Sequence, residues 1–399
     1  MVAAMPQCRT FRYLLQPTAR QRLDLERLLG LQCELYNAAL EARNGAWEKE
    51  RRSVSYILDC ATLTQTRAVR PDLFEFGITV CRGTLKRLDR AYCAFYRRCR
   101  ANQTPGYPRF KSRSRFDSVQ WEDTQSWDLD TQAKRLRVQG IGGIKVRLHR
   151  PLRGTPKAIT IKREGTRWWV SIRCVDVEAV PVAPTGCEIG IDMGIWAVVA
   201  TSDGELVTEG RFGARAQDRL REAQRSLSTK TRGSGHRRRA AQAVGRAHRK
   251  VGNQRQDLAH QLSRRLVNAH DLIAIEDLKV SSMLRRPKPR PDDKGGFQAN
   301  GASAKAGLNR SISDAGWGLL RSYLAYKVEE TGRELIAVDP RNTSVRCSRC
   351  GHIAPENRVS QAEFRCQDCR YVAHADINAA CNILWAGRAQ RASARAGSN

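Results

Sequence analysis

Four cysteines and one aspartate near the end of the chain have types and spacing suited to metal chemistry. Cys347 and Cys350 form one Cys-x-x-Cys pair, Cys366 and Cys369 form a second pair fifteen residues later, and Asp376 follows by seven residues. Each pair offers two thiolates from one tight turn, and two such turns complete a tetrahedron of soft ligands around Zn²⁺. Four thiolates leave no open coordination position, so the sequence predicts a structural zinc site with an acidic residue beside it.

Three acidic residues lie in apolar surroundings where a carboxylate is costly. Asp192 lies in the apolar run 189–195, Glu276 ends the run 272–276, and Asp376 precedes the apolar positions of a predicted helix. A buried unpaired carboxylate is strongly disfavoured, so each acid must be solvated, paired or bound to a metal ion. Taken singly, each could end a strand, form a salt bridge or cap a helix.

The three acids together favour metal chemistry, because one α/β unit could bring them to one end of its sheet. Clustered carboxylates repel one another, and hard divalent cations resolve the repulsion by taking oxygen ligands. Two Mg²⁺ ions, or Mn²⁺ ions, about 3.5–4 Å apart would activate water and stabilise the leaving oxygen of a phosphodiester. The sequence offers no plausible Ser–His–Asp set, and its seven histidines have no ligand spacing.

The charge of the chain indicates a polyanionic partner. Its 399 residues carry 70 Lys and Arg against 40 Asp and Glu, a formal net charge of +30 that favours nucleic acid. An anionic membrane is the weaker alternative, because there is no apolar run of 18 residues. Thirteen cysteines, mostly scattered, favour reduced thiols over a disulfide framework. The absence of a signal-peptide core also predicts a cytoplasmic protein, associated with the nucleoid if it binds DNA.

The region before the acidic unit changes from a helical to a strand pattern. Residues 17–103 predict helices, the first opened by a capping box of Thr18 and Gln21. Residues 104–183 predict short alternating strands in a small barrel or sandwich. The loop at this change interleaves basic and aromatic residues that could contact nucleic acid: Tyr107, Arg109, Phe110, Lys111, Arg113 and Phe116. An ordinary loop anchored by its aromatics is an equally good interpretation.

The acids themselves must be positioned by the α/β unit that follows. Apolar runs at 188–192, 271–276 and 335–338 predict its strands. Between them, residues 214–270 are helical and very basic, and Arg237, Arg238 and Arg239 could line a nucleic-acid channel or face solvent. Elsewhere in the unit we predict a mobile insertion at 285–307, a helix cap at Ser313 or Asp314, and a disordered tail at 387–399.

Six segments of the sequence resemble the TnpB family, the RNA-guided nucleases of insertion sequences that are related to type V CRISPR effectors. They are residues 105–111, 190–194 (GIDMG), 275–278 (IEDL), 307–311 (GLNRS), 347–351 (CSRCG) and 375–383 (ADINAACNI). The resemblance extends from about residue 8 to 385.

The resemblance implies a multidomain α+β protein with a RuvC-like RNase H fold nuclease domain. The implied domains are a β-barrel wedge domain (1–16 and 104–183), a helical recognition domain (17–103), the nuclease domain (184–343 and 373–386) and a zinc-finger insert (344–372). It also implies that Asp192, Glu276 and Asp376 form the catalytic, Mg²⁺-binding triad.

The implied activity is cleavage of double-stranded DNA next to a short target-adjacent motif, directed by a guide RNA from the transposon right end. Two departures from the family pattern matter. Arg370 follows the fourth zinc cysteine where many relatives have Gly, and Ala362 stands where many have Arg. We therefore assign no catalytic arginine, although Arg358 and Arg365 are nearby.

Two alternative functions remain open from the sequence. A catalytically silent, guide-bound DNA-binding regulator is disfavoured because all three acids are present. A strand-transferring transposase is disfavoured because the acids run Asp, Glu, Asp rather than Asp, Asp, Glu. No membrane partner is expected, and the sequence names no protein partner.

Overall fold

A seven-stranded antiparallel sheet organises the first part of the protein. The computed structural model describes residues 7–208, 213–293 and 296–396. The chain divides into two units, Met1–Glu178 and Ala179–Asn399, which are described separately below. Among the described residues, no helix has the length and apolarity needed to cross a membrane.

The strands of the first unit pair in the order β2-β6-β7-β1-β5-β4-β3. They are β1 (Gln7–Gln16), β2 (Ser118–Trp121), β3 (Trp127–Asp130), β4 (Arg135–Val138), β5 (Gly142–Arg147), β6 (Thr155–Glu164) and β7 (Arg167–Val177). The end strands β2 and β3 are four residues long and are not paired with each other in the described part of the chain. Hydrogen bonds therefore leave the sheet open between β2 and β3, and the prediction of a small barrel or sandwich stays a prediction.

Three helices lie between β1 and β2 in sequence and share a core with the sheet. They are α1 (Ala19–Glu50), α2 (Tyr56–Val69) and α3 (Ile78–Arg100). The predicted capping box is confirmed, since the Gln21 N–H donates to Thr18 Oγ1 and the Thr18 N–H donates to Gln21 Oε1. Leu28 and Leu85 of the helices belong to the same buried cluster as Trp121 of β2.

The second unit contains a five-stranded mixed sheet in the order β10-β9-β8-β11-β12. Its strands are β8 (Glu188–Asp192), β9 (Val199–Thr201), β10 (Leu206–Val207), β11 (Leu272–Glu276) and β12 (Glu334–Val338), and a separate hairpin comprises β13 (Glu363–Arg365) and β14 (Val372–His374). The helices are α4 (Gly213–Ser228), α5 (Gly235–Ala269), α6 (Val280–Met283), α7 (Ala302–Ala315), α8 (Trp317–Thr331) and α9 (Ala375–Ala396). Strand β11 pairs in parallel with both β8 and β12, so the carboxyl ends of these three strands meet at one sheet edge.

The two faces of this sheet pack against different helices because side chains alternate along each strand. Ile191 and Ile275 belong to one apolar cluster with Leu262 of α5 and Leu324 of α8. Ala274 lies on the opposite face, where it clusters with Ile383 of α9. Residues two positions away from Ala274 and from Gly190 therefore point to the α9 face as well.

The predicted disordered tail is wrong over its described residues, because α9 continues to Ala396. Glu188 accepts hydrogen bonds from Arg388 and Arg391, at 2.5 Å for Arg388 Nε, and these ion pairs fix the end of the helix to the start of β8. Burial opposes ionisation of Glu188, but the two arginines outweigh it and lower the pKa of that carboxyl. Residues 397–399 lie outside the described residues.

Two smaller predictions also need correction. Ser313 and Asp314 lie inside α7 and do not cap α8. Helix α7 ends and α8 begins at Gly316, whose φ of 70° is in the left-handed region. Asp314 accepts hydrogen bonds from Arg255 and Gln217 instead. Helix α7 begins at Ala302, within the predicted insertion 285–307, of which residues 294–295 lie outside the described residues.

Candidate active site and zinc site

Asp192 and Glu276 lie side by side at the carboxyl ends of neighbouring strands. Ile191 of β8 is the register partner of Ile275 of β11, so the next residue of each strand is an acid. Both acids follow the alternation that puts Gly190 and Ala274 on the α9 face. The sequence prediction that these acids could meet at one sheet end therefore has a direct geometric basis.

Asp376 reaches the same sheet end from the first turn of α9. The helix lies unusually close to β8, because a Cβ on Gly190 would be 2.1 Å from the Ala380 carbonyl oxygen and 2.7 Å from the Leu384 nitrogen. Only glycine fits at this position. The close approach sets the height of Asp376 above the ends of the strands.

The electrostatics of Asp192 reflect the crowding of negative charge. Burial, followed by the charges of Glu276 and Asp376, raises the pKa of Asp192 to about 7, while Arg358 opposes the shift. Burial also raises the pKa of Glu276, opposed by a hydrogen bond of 2.6 Å that the Thr343 hydroxyl donates to Glu276 Oε1. Each raised pKa indicates a carboxylate that lacks a full set of compensating positive partners.

The chemistry of this donor set suits hard divalent cations. Three carboxylates provide oxygen ligands, which Mg²⁺ and Mn²⁺ prefer, and the raised pKa values of Asp192 and Glu276 would fall on binding a cation. In the described part of the chain, the four cysteines are the only group of three or more potential metal ligands whose ligand atoms all lie within 4.8 Å of one another. The three carboxylates do not all lie this close together and interact through their charges.

Arg358 is the residue of this site that the sequence did not assign. Its Nη2 lies 3.1 Å from Asp376 Oδ1, and the same nitrogen donates to the Gln361 carbonyl oxygen at 3.2 Å. The bridge between Arg358 and Phe364 folds this segment back toward α9. Arg358 and Ala362 both line the cavity that contains Asp192 and Asp376.

The four predicted zinc ligands converge. Cys347 Sγ and Cys369 Sγ are 3.6 Å apart, as are Cys350 Sγ and Cys366 Sγ. A tetrahedron with Zn–S bonds of about 2.3 Å requires S···S distances of about 3.8 Å, so this cluster fits zinc. Arg370 adopts φ 56°, a left-handed conformation that explains why glycine suits the position and that costs about 1–2 kcal/mol for another residue.

Two buried asparagines of α9 join the segment around Cys347 and Cys350, here called the zinc segment, to the acidic site. Asn378 Oδ1 accepts from the Ser348 N–H at 3.0 Å, and its Nδ2 donates to the Arg346 carbonyl oxygen at 2.8 Å. Asn382 Nδ2 donates to the carbonyl oxygens of Thr343 and Arg346. Both asparagines follow Asp376 on the same helix, so the zinc segment restrains the first turn that carries the acid.

The candidate nucleic-acid contacts of the first unit are mixed in character. Arg109, Phe110, Lys111 and Arg113 are exposed. The Tyr107 hydroxyl donates to Asn44 Oδ1 at 2.9 Å, and its ring meets Phe95 edge-on, so this tyrosine anchors the loop. Phe116 is buried, with 1 % of its surface exposed, and is also an anchor. The anchoring interpretation thus applies to Tyr107 and Phe116, while nucleic-acid contact by the exposed residues stays a prediction.

The candidate contacts in the second unit differ in the same way. Arg238 and Arg239 are exposed on α5. Arg237 Nη1 donates to the carbonyl oxygens of Leu227 and Lys230, at 3.0 and 2.8 Å, which holds the turn between α4 and α5. The guanidinium of Arg237 is therefore engaged within the protein.

These features define a mixed α/β protein in which an acidic sheet end adjoins a four-cysteine zinc-type site. Residues 172–286 match the family described as OrfB_IS605, probable transposase, and residues 317–383 match the Cas12f1-like TNB domain. The chain is 32% identical over 391 residues to "Putative RNA-guided DNA endonuclease InsQ" of Escherichia coli K12, covering 96% of this chain and 94% of that protein. It is 34% identical over 390 residues to a Streptomyces pristinaespiralis protein named "Putative RNA-guided DNA endonuclease", covering 96% and 90%.

The fold has a counterpart among solved structures. A Cas12f1 chain, from a complex with sgRNA and target DNA, superposes with a TM-score of 0.57 at 12% identity, covering 95% of this chain and 98% of that one. The full-length similarity to the two bacterial proteins shows that the chain belongs to the TnpB family. The resemblance noted in the sequence is thereby confirmed.

Proposed function

We propose that the protein is an RNA-guided endonuclease that cleaves double-stranded DNA next to a short target-adjacent motif. The observation that carries the proposal is the position of Asp192, Glu276 and Asp376 at one sheet end, with the pKa of Asp192 raised to about 7 by burial and by the other two acids. Two full-length relatives are named as RNA-guided DNA endonucleases, which supports the same activity.

In this proposal the three acids would hold two Mg²⁺ or Mn²⁺ ions, which would supply an activated water and charge stabilisation for the leaving oxygen of the phosphodiester. The side chains prepare that chemistry. Thr343 fixes the orientation of the Glu276 carboxylate through its hydroxyl. Arg358 fixes Asp376 through its guanidinium and partly offsets the rise in the pKa of Asp192, which favours the ionised form of that carboxyl. Zinc on the four cysteines is structural and braces α9 through Asn378 and Asn382.

The remaining parts of the chain fit the recognition of a guide and its target. Base pairing with the guide reads sequence, so the protein needs basic surfaces of low sequence preference. The net charge of +30 and the exposed Arg109, Lys111, Arg238 and Arg239 suit that need. We assign residues 17–103 to guide recognition, the sheet of β1–β7 to a wedge domain, and the second unit to a RuvC-like nuclease domain. The guide RNA would derive from the right end of a transposon that encodes the protein.

The alternative functions are a silent regulator and a transposase. The regulator is disfavoured because a protein that only binds DNA gains nothing from clustering costly, largely desolvated carboxylates. The transposase is disfavoured by the order of the acids, Asp, Glu, Asp.

One purification and one variant test the proposal. We expect the wild-type protein to co-purify with a discrete RNA, and sequencing that RNA defines a matched DNA target. Asp192→Ala should abolish cleavage of this target in Mg²⁺ while RNA and DNA binding persist. Cleavage at the wild-type rate by the variant would rule out the metal assignment, and the absence of a discrete RNA would rule out guidance.

A further inference from the structure

An exposed tryptophan lies at the wall of the acidic cavity and has no role in the scheme above. The cavity has a volume of about 400 Å³ and contains Asp192, Asp376 and Arg358 in its lining. Trp196 also lines it, with 52% of its surface exposed, and the preceding Ile195 is 47% exposed. Trp196 and Ile195 therefore present adjoining apolar surface to any ligand that enters this polar cavity.

The segment that carries Trp196 is held rigidly. Buried Trp317 donates its indole N–H to the Gly194 carbonyl oxygen at 3.1 Å. On the other side, Ala197 is buried, and its carbonyl oxygen would be 2.7 Å from a Cβ on Gly194. Because the residues on both sides are fixed, the exposed position of the Trp196 ring is set by the fold.

The orientation of the ring is coupled to the acidic site. The rings of Trp196 and His374 are stacked with their centroids 6.0 Å apart and an angle of 26° between their planes, an offset arrangement. His374 Nδ1 accepts a hydrogen bond from the backbone N–H of Asp376 at 3.3 Å. One face of the aromatic pair therefore lies beside the carboxylate that would bind metal.

We propose that Trp196, supported by His374, stacks on an unpaired base of the DNA strand next to the phosphate that is cut. The inference rests on the proposed function and deepens it, because it names the residue that would hold the strand in the site. In a duplex both faces of a base are covered by its neighbours, whereas an unpaired base can offer a face to an aromatic ring. Arg358 in the same cavity provides positive charge for the adjoining phosphate.

The test compares Trp196→Ala and Trp196→Phe with the wild type, each as the full chain with its co-purified RNA. Under single-turnover conditions we expect Trp196→Ala to raise the half-saturating concentration of a matched single-stranded DNA roughly 5- to 100-fold, because stacking is lost. The maximal rate should change less, and Trp196→Phe should restore most of the binding. Equal thermal unfolding of the three proteins checks that the fold is intact. If Ala and Phe variants bind the strand as the wild type does, the tryptophan only packs against His374 and the proposal is wrong.

A second measurement locates the stacked base. Abasic sites are placed one at a time around the cleavage position, and the wild type should lose binding at one of them. Trp196→Ala should show no further loss at that position, because both changes remove the same contact. Additive losses at every position would overturn the proposal, as would an RNA strand of the same sequence that binds with equal affinity and the same dependence on Trp196.

The binding measurements are repeated in the Asp192→Ala background. Stacking is read there without cleavage, so its failure is distinguishable from failure of the proposed nuclease activity. A dependence on Trp196 that persists in this background supports the stacking role independently of the metal assignment.

Discussion

Replacing Gly190 with alanine should disable the proposed active site without touching any acid. The new Cβ would be 2.1 Å from the Ala380 carbonyl oxygen and 2.8 Å from Leu384 Cβ, whereas an ordinary contact is about 3.4–4 Å. Because the first obstacle is helix backbone, α9 must move by about 1 Å or more. Overpacking of this kind costs about 1–3 kcal/mol, and a 1 Å misplacement of a catalytic group can cost about 100-fold in rate.

The assay measures thermal unfolding together with single-turnover cleavage of a matched target. The stability loss should lower the Tm by roughly 2–12 °C for a unit of this size. Gly252→Ala is the matched control, because no atom lies within 4 Å of the added Cβ and the position is inside α5. This control should be neutral or stabilise by up to about 1 kcal/mol, as alanine is the better helix former. A Gly190→Ala protein that melts and cuts like wild type would refute the close packing of α9 on β8.

Three further predictions follow from the site. Arg358→Ala should reduce cleavage roughly 10- to 100-fold with target binding unchanged, because a charged hydrogen bond to Asp376 is lost. Arg358→Lys should recover part of the cleavage rate. Without added divalent cations, the raised pKa of Asp192 stabilises the fold below its ordinary value near 4, and this stabilisation is lost as the pH rises to about 7. Asp192→Asn keeps a neutral side chain at every pH, so its melting temperature should be close to that of wild type near pH 4 and should exceed it increasingly up to about pH 7; a constant difference would contradict the shift. Arg370→Gly should raise the melting temperature of the zinc-loaded protein, because it relieves about 1–2 kcal/mol of strain and the greater freedom of glycine in the unfolded chain offsets only about 0.4–1 kcal/mol of it. An unchanged or lower value would contradict the left-handed assignment.

Local patterns in the sequence were enough to find the strands that carry the acids. The apolar runs ending at Asp192 and Glu276 correspond to β8 and β11, and the parallel register then aligns the two acids. The zinc ligands were found by spacing alone, because a Cys-x-x-Cys turn is a local motif. The catalytic roles of the acids stay a prediction until they are tested.

Long-range contacts account for what the sequence did not indicate. Strand β1 pairs with β7 and β5, more than 100 residues away, and only the family resemblance suggested that the N-terminus belongs to that domain. Arg358 meets Asp376 because a hairpin folds the chain back, and several arginines in this segment were equally plausible from sequence. The composition of the tail suggested disorder, but Arg388 and Arg391 of the tail form ion pairs with Glu188, which is distant in sequence.

Helix α9 is attached independently at its two ends. Asn378 and Asn382 hold its beginning to the zinc segment, while Arg388 and Arg391 hold its end to Glu188 of the sheet. If the four cysteines hold zinc as proposed, loss of the metal would release the end that carries Asp376 while the other end stays docked on the sheet. Metal-depleted protein would then remain folded yet inactive, and its activity would return with zinc without a complete refolding of the chain.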